Sequence, residues 1–300
     1  EYIGGYVGFV PHVNTFENTI ISNNNSTNGE GEGGGVYFKQ SSVDFHEVTV
    51  ASNSARIGGG IYLGFSSPDF TNTIIRHNVA ESSNGENFGG GIYMYDSSLN
   101  LMDVLIHSNV AYSGGGIYGV APYGSRHLTF LNVTLTDNLG SDSYGALSLV
   151  NWFEFRSTNS IIWNNGTDPI LVDYYFTSPY SFTSSYSNFE DGWFGVNCSD
   201  CLGNISLDPL FVDPENYNYT LQMESPCIDE GTTDWSIIGY DSFNYEWIND
   251  MLNFNGLAPD MGAFESDYML GDLNQDYYIN IFDIIILVEY ALDGEYLYFG

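Results

Sequence analysis

The chain has 300 residues, 38 of them acidic and only 5 Lys or Arg, for a net charge of −33. Apolar residues make up 43%, enough for a core, while 34 glycines and 24 tyrosines suit many short strands and turns. This charge excludes partners read through clustered Lys and Arg, namely nucleic acid and anionic membranes, and no run approaches the ~18 apolar residues that span a bilayer.

The chain opens without a signal-peptide pattern. Glu1–Val7 (EYIGGYV) already reads as the middle of a repeat, so the ladder is expected to begin upstream of Glu1. Four glycine copies follow: Gly33-Gly34-Gly35-Val36-Tyr37, Gly58-Gly59-Gly60-Ile61-Tyr62, Gly89-Gly90-Gly91-Ile92-Tyr93 and Gly114-Gly115-Gly116-Ile117-Tyr118. An imperfect copy stands at Tyr144-Gly145-Ala146-Leu147-Ser148. The spacing of 25, 31 and 25 residues marks one supersecondary unit stacked on itself.

Between the glycine copies lies a second motif, a short aliphatic or β-branched run closed by Asn24, Asn53, Asn78, Asn109, Asn138 and Asn165. Such runs are too short and too β-branched for helices. Two residues before each run sits Phe16, Phe45, Phe70, Leu101 or Phe130, with Ser157 breaking the series. Each repeat therefore holds at least two short strands. Stacking them at ~4.8 Å gives a parallel β-helix over residues 1–182, with a Phe stack inside and an Asn ladder at a turn. Asn is expected there in the left-handed conformation, and triple glycine where no Cβ could enter. A β-propeller is disfavoured, because its blades need about 40 residues and four strands each. Extra residues of the longer repeats, such as 81–88, should bulge as loops.

From residue 183 the pattern changes. Residues 1–182 hold 16 acids and all five bases (Lys39, Arg56, Arg76, Arg126, Arg156), whereas residues 183–300 hold 22 acids and no Lys or Arg. Divalent cations or a saline medium would relieve that repulsion. The segment 183–268 carries Asp208-Pro209-Leu210-Phe211, Ser225-Pro226-Cys227-Ile228-Asp229-Glu230-Gly231 and Asp260-Met261-Gly262-Ala263-Phe264-Glu265. Cys198, Cys201 and Cys227 leave three disulfide pairings open, and no His lies beyond residue 128 to complete a zinc site.

These motifs resemble the secreted parallel β-helix proteins of the pectin-lyase-like superfamily, in particular a subgroup whose helices end in DPLF, SPCID.G and D.GA.E segments. The resemblance spans about residues 1–265. It implies an all-β fold, a right-handed parallel β-helix (solenoid), and export, and it implies little about activity.

The remaining segment, 269–300, contains Gly271-Asp272-Leu273-Asn274-Gln275-Asp276-Tyr277-Tyr278-Ile279-Asn280-Ile281-Phe282-Asp283. Asp272, Asn274, Asp276, Asn280 and Asp283 occupy loop positions 1, 3, 5, 9 and 12, and Tyr278 offers its carbonyl at position 7. That spacing wraps a hard cation, so Ca2+ is the expected ligand. Residues 284–292 should follow as a short, buried helix. The segment resembles one repeat of a type I dockerin, which implies a cohesin-like partner. Tyr277 stands where Gly usually makes the turn, at a cost of about 1 kcal/mol, and only one repeat is present where dockerins pair two.

Catalytic groups are scarce. A β-helix lyase needs a cation to stabilise an enolate-like intermediate and a base to take the proton. Arg76-His77 and His107 are candidates, but their repeat positions differ by one and should point to opposite faces. Glu47 and Asp103 could be a hydrolase pair, two repeats or roughly 9.6 Å apart, yet Asn takes their place in other repeats. The sequence thus favours a secreted structural or adhesive protein of a cell surface or extracellular fibre. The alternatives are a carbohydrate-active enzyme and a calcium-dependent docking protein. Self-association is expected through the strand at residues 2–10, with Tyr296-Leu297-Tyr298-Phe299 as a donor strip. Sequons at Asn24, Asn25, Asn132, Asn165, Asn197, Asn204 and Asn218 are a weak sign, since an Asn-rich ladder produces them unaided.

Overall fold

The computed structural model describes residues 14–27, 31–82, 85, 87–141, 145–166, 170–173, 182–192, 201–234, 237, 254–266 and 281–293. The repeats form a parallel β-solenoid. One coil contributes four short strands, Val36–Lys39, Val43–His46, Thr49–Ala51 and Ser54–Ala55. The next contributes Ile61–Gly64, Asp69–Thr71, Ile74–Arg76 and Val79–Ala80. Like residues face one another in parallel register from coil to coil: Ile61 with Ile92 and Ile117, Phe45 with Phe70, Ile74 with Leu105. Further along, pairing continues through the corners, and the strands run on as Leu99–His107, Ile117–Thr136 and Leu147–Thr158 with left-handed Asp103, Asn132 and Asn151 inside them. Three faces thereby join one 16-stranded sheet, while the short fourth strands make a separate 5-stranded one.

Left-handed residues make the corners, and their places differ in part from expectation. The first glycine of each copy (Gly33, Gly58, Gly89, Gly114) has φ of 61–67°. The other two glycines are needed for closeness: a Cβ on Gly60 would lie 2.6 Å from Gly91 O in the next coil. The ladder asparagines themselves are not left-handed. The residue before each one is, namely Asn23, Ser52, His77, Ser108, Asp137 and Asn164, with φ of 53–59°. That corner frees the following Asn to lay its amide along the stack. Asn53 N–H and Nδ2 both donate to Asn78 Oδ1 at 3.0 Å, and the same pair of bonds links Asn78 to Asn109. The remaining Nδ2 hydrogen goes to a carbonyl of the preceding coil, as from Asn78 to Val50 O at 2.9 Å. Every polar atom of these buried amides is thus satisfied, which is what makes their burial tolerable.

Inside the coil the Phe stack forms as expected. Phe45 and Phe70 lie with centroids 4.3 Å apart, Leu101 continues the column, and Phe16 meets Phe45 edge-on at 5.7 Å. Each ring fully removed from water contributes ~1.5–3 kcal/mol. The gap at Ser157 is real, because Ser157 is in register with Phe130. Phe155, one inward position earlier, fills the space with its ring 5.0 Å from Phe130 and 5.1 Å from Phe182.

The segment after residue 200 starts as a further rung, where Ile205 bridges Asn188 in parallel. The chain then lies along the flank of the coil. Phe211, Tyr219, Leu221, Cys227, Ile228 and Met261 form a second apolar core with the outward-facing Leu105 and Ile161, against which Ile74 also packs. Here the closing motifs acquire a physical role. Gly262 (φ +104°) packs so closely that a Cβ would lie 2.8 Å from Thr134 Oγ1, while its N–H donates to Asn159 O at 2.8 Å. Asn159 also grips Thr232, accepting from its N–H at 2.8 Å and donating to its carbonyl at 3.0 Å. Cys201 is disulfide-bonded, and Cys227 is a free, buried thiol that accepts from Asn188 Nδ2 at 3.1 Å. Pairings through Cys227 are thereby removed.

A helix runs over Ile281–Asp293. It is not buried as its apolar run suggested. Ile281, Phe282, Ile284, Ile285 and Val288 are exposed, and Asp283 is the buried side chain of its first turn. The expectation assumed that an apolar helix must pack on its own chain, whereas these five apolar side chains stay exposed. Residues 2–10 and 296–299, the proposed edge strand and donor strip, lie outside the described residues.

Candidate binding site between the coil and the closing segment

In each ladder strand the middle residue (Ile75, Ile106, Leu135, Ile162) enters the coil core. Its neighbours therefore point outward. The residue after it forms an outer column of Arg76, His107, Thr136 and Trp163, paired in register. The residue after that is the left-handed corner, which gives a second column of His77, Ser108, Asp137 and Asn164. The closing segment crosses both. Pro214–Asn216 form a 3-10 turn that ends in left-handed Tyr217, whose N–H returns to Pro214 O, and Asn218–Leu221 then pairs antiparallel with Phe211–Asp213.

This crossing brings together residues that strand alternation alone would separate. The rings of His77 and His107 are 5.3 Å apart, and Tyr217 stacks edge-on 4.6 Å from His77. The expectation of opposite faces fails because His77 occupies a left-handed corner, where strand alternation no longer sets side-chain direction. Tyr219 completes the cluster. Its hydroxyl donates to Asp137 Oδ2 at 2.6 Å and lies 3.5 Å from His107 Nδ1, which in turn is 3.0 Å from Ser108 Oγ.

The electrostatics oppose acid–base work. Burial, reinforced by His77 and Arg76, depresses His107 to about 3, so the imidazole is neutral and only weakly basic. Burial and Arg76 lower His77 as well. Burial and the hydrogen bond to Asp137 raise the Tyr219 phenol, which keeps its proton. The cluster is a clasp for the closing segment. The other suggested pair fares similarly: Asp103 Oδ1 accepts from Asn132 Nδ2 at 2.9 Å, and Glu47 lies 3.8 Å from its sequence neighbour His46. Elsewhere the closing motif gathers Asp229, Asp260 and Glu265. Asp260 accepts from Asp229 N–H and Ser266 N–H, and Glu265 accepts from Asp260 N–H. These carboxylates staple the turn.

Beside the clasp is a cavity of about 240 Å³. The coil lines it with Thr136, Asp137, Trp163 and Asn164, and the closing segment with Asp208, Leu210, Phe211, Pro214 and Gln222. The sequence motifs pointed to none of these as a site. A usable signal was present, since the same two places in each ladder motif supply His107, Ser108, Thr136, Asp137, Trp163 and Asn164. The partner strand Asn218–Leu221 had no repeat to announce it.

Of the suggested calcium ligands, Asp272, Asn274, Asp276, Tyr278 and Asn280 lie outside the described residues, and Asp283 is buried in the first turn of the C-terminal helix. Among the described residues no three His, Cys, Asp or Glu side chains converge on a metal position, and no helix is long and apolar enough to cross a membrane. Compared with known proteins, the chain matches no family model, no curated protein and no solved structure.

Proposed function

We propose that the chain is a secreted, non-catalytic β-helix, right-handed in its coiling, that serves as a structural or adhesive component of a cell surface or extracellular fibre. One observation carries this reading. The polar side chains that could perform chemistry are tied into axial ladders or held neutral beneath the closing segment, as His107 is by Tyr217 and Tyr219. A rigid, acidic rod is what such a construction supports. Incubation with pectin, alginate and other uronic-acid polymers should yield no product. Cleavage that disappears in Arg76→Ala or His77→Ala would sink the reading.

Two further elements belong to it. The oxygen spacing at Asp272, Asn274, Asp276, Tyr278, Asn280 and Asp283 supports a Ca2+ loop at the base of the Ile281–Asp293 helix. Calorimetric titration should show one Ca2+ site that is lost when Asp272 and Asp276 are both changed to Ala, with weaker surface binding subtracted. Equal binding by parent and double variant would reject the loop. Head-to-tail self-association is the second element, supported by Phe16 and Ile20, exposed on the first described coil. Sedimentation should show oligomers that grow with concentration. A monomer at high concentration, with and without Ca2+, would remove self-association from the reading.

The exposed apolar residues of the C-terminal helix favour a second reading, in which the β-helix is cargo on a calcium-dependent docking module. A cohesin-like partner would then bind in Ca2+ and lose affinity on Ile284→Asp. Binding indifferent to both would discard it.

A further inference from the structure

We propose that the cavity between Trp163 and the closing segment binds a single neutral pyranose ring of a carbohydrate. This deepens the non-catalytic surface reading by naming what the surface would hold. The cavity is about 240 Å³, room for one sugar ring and too small for a longer oligomer to enter whole. Trp163, half-buried at its edge, offers the aromatic surface on which the C–H face of a sugar packs.

The polar atoms define the chemistry. The Trp163 indole N–H makes no hydrogen bond among the described residues. Gln222 uses Nε2 on Phe211 O at 2.7 Å, which leaves Oε1. Asp208 uses Oδ1 on Leu210 N–H at 3.0 Å, which leaves Oδ2. Asn164 donates through Nδ2 to Asp137, which leaves its own Oδ1. The wall thus presents three acceptors, the indole N–H and the second amide hydrogens of Gln222 and Asn164. Hydroxyl groups, each both donor and acceptor, match that set. An ammonium would leave the indole N–H unanswered. An anion would meet Asp208 and Asp137 with no Lys or Arg in the wall. Asp137 is already engaged by Tyr219 and Asn164, so the clasp fixes one wall before any ligand arrives.

The test is calorimetric titration of the full chain with methyl glucoside, mannoside and galactoside, with methyl glucuronide and glucosamine as charged probes. At least one neutral pyranoside should bind, with a Kd on the order of 1 mM. Trp163→Ala and Gln222→Ala should each weaken it about tenfold. Asp208→Asn, which keeps the shape and the bond from Leu210 N–H, should weaken it about threefold. Tyr123→Ala, at an exposed ring remote from the cavity, should leave it unchanged. Far-UV circular dichroism identifies any variant that misfolds, and the conservative Asp208→Asn then decides. The proposal fails if no neutral pyranoside binds the parent. It also fails if the folded cavity variants bind like the parent, or if only the charged probes bind. Recovered ligand is checked for cleavage: release of methanol would overturn the non-catalytic reading and leave the binding site standing.

Discussion

Asn109→Ala should be among the most damaging small substitutions in the coil, and its cost can be worked out from its bonds. The Asn109 amide donates to Asn138 Oδ1 at 3.0 Å and to Ile75 O at 2.9 Å, and its Oδ1 accepts from the N–H and Nδ2 of Asn78, both at 3.0 Å. Alanine removes all four. Two donors of the buried Asn78 are left without partners, at about 1–3 kcal/mol each, and loss of the two donated bonds adds about 1–2 kcal/mol. The sum is about 3–8 kcal/mol, a large part of the 5–15 kcal/mol typical of a whole domain. Asn24 is the control. Among the described residues its side chain makes one bond, to Asn53 Oδ1, on the partly exposed first described rung, so Asn24→Ala should cost about 1 kcal/mol. Urea unfolding followed by circular dichroism compares the two. Asn109→Asp should not rescue, because it keeps the acceptor but loses both donors and buries a charge. If Asn109→Ala falls within about 1 kcal/mol of Asn24→Ala, the ladder does not stabilise the coil in the way argued.

Gly91→Ala would set a methyl 2.6 Å from Gly116 O and should cost about 2 kcal/mol or more, whereas Gly85→Ala, with nothing within 4 Å, should cost only the ~1 kcal/mol of its positive φ. Thermal melts of the two variants, compared with the parent, check the difference. Two buried groups should give stability opposite slopes with pH. His107 is held near 3, below the unfolded value of 6.5, so the unfolded chain takes up a proton first and stability falls as the pH drops from about 6.5 toward 3. His107→Asn should flatten that limb in melts taken across the range. Burial raises Asp69 from 3.8 to about 6, helped by Asp44 and opposed by the Asn100 bond, so its contribution is full below about 3.8 and is lost as the pH rises through 6. Asp69→Asn should therefore stabilise the chain at pH 7 by about 2 kcal/mol, and no gain there would refute the assignment.

What the sequence disclosed followed from repetition. Stacking makes one residue's environment recur every coil, so GGGIY and the closing Asn announced a solenoid, a glycine corner and an amide ladder. The same repetition misled on the corner. Asn tolerates positive φ and was placed there, but each ladder Asn is needed for its side-chain amide, and the chain gives the corner to whatever precedes it: Asn23, Ser52, His77, Ser108, Asp137 or Asn164. The variety in that column is itself informative, since a position that accepts Ser, His and Asp alike is held by neighbouring hydrogen bonds and not by its own preference.

The candidate site was illegible for a related reason. It forms where a periodic element meets one with no period. Trp163 and Asn164 are ordinary members of the ladder motif until Asp208–Gln222 folds over them, held at Leu207 by Asn188, at Tyr219 by Asp137, and further along by Asn159 against Thr232 and Gly262 against Thr134. These anchors lay the closing segment across the outer column, with Tyr217 at His77 and His107 and the cavity at Thr136 and Trp163. The cavity is what remains between a flat, regular flank and an irregular strip whose bulk is set by Phe211, Pro214 and Tyr219. Shifting the strip by one coil would take Tyr217 off the His77 ring it now meets and would break the bond from Tyr219 to Asp137. The site's position therefore follows from the anchors, and its chemistry from whichever residues the ladder happened to present there.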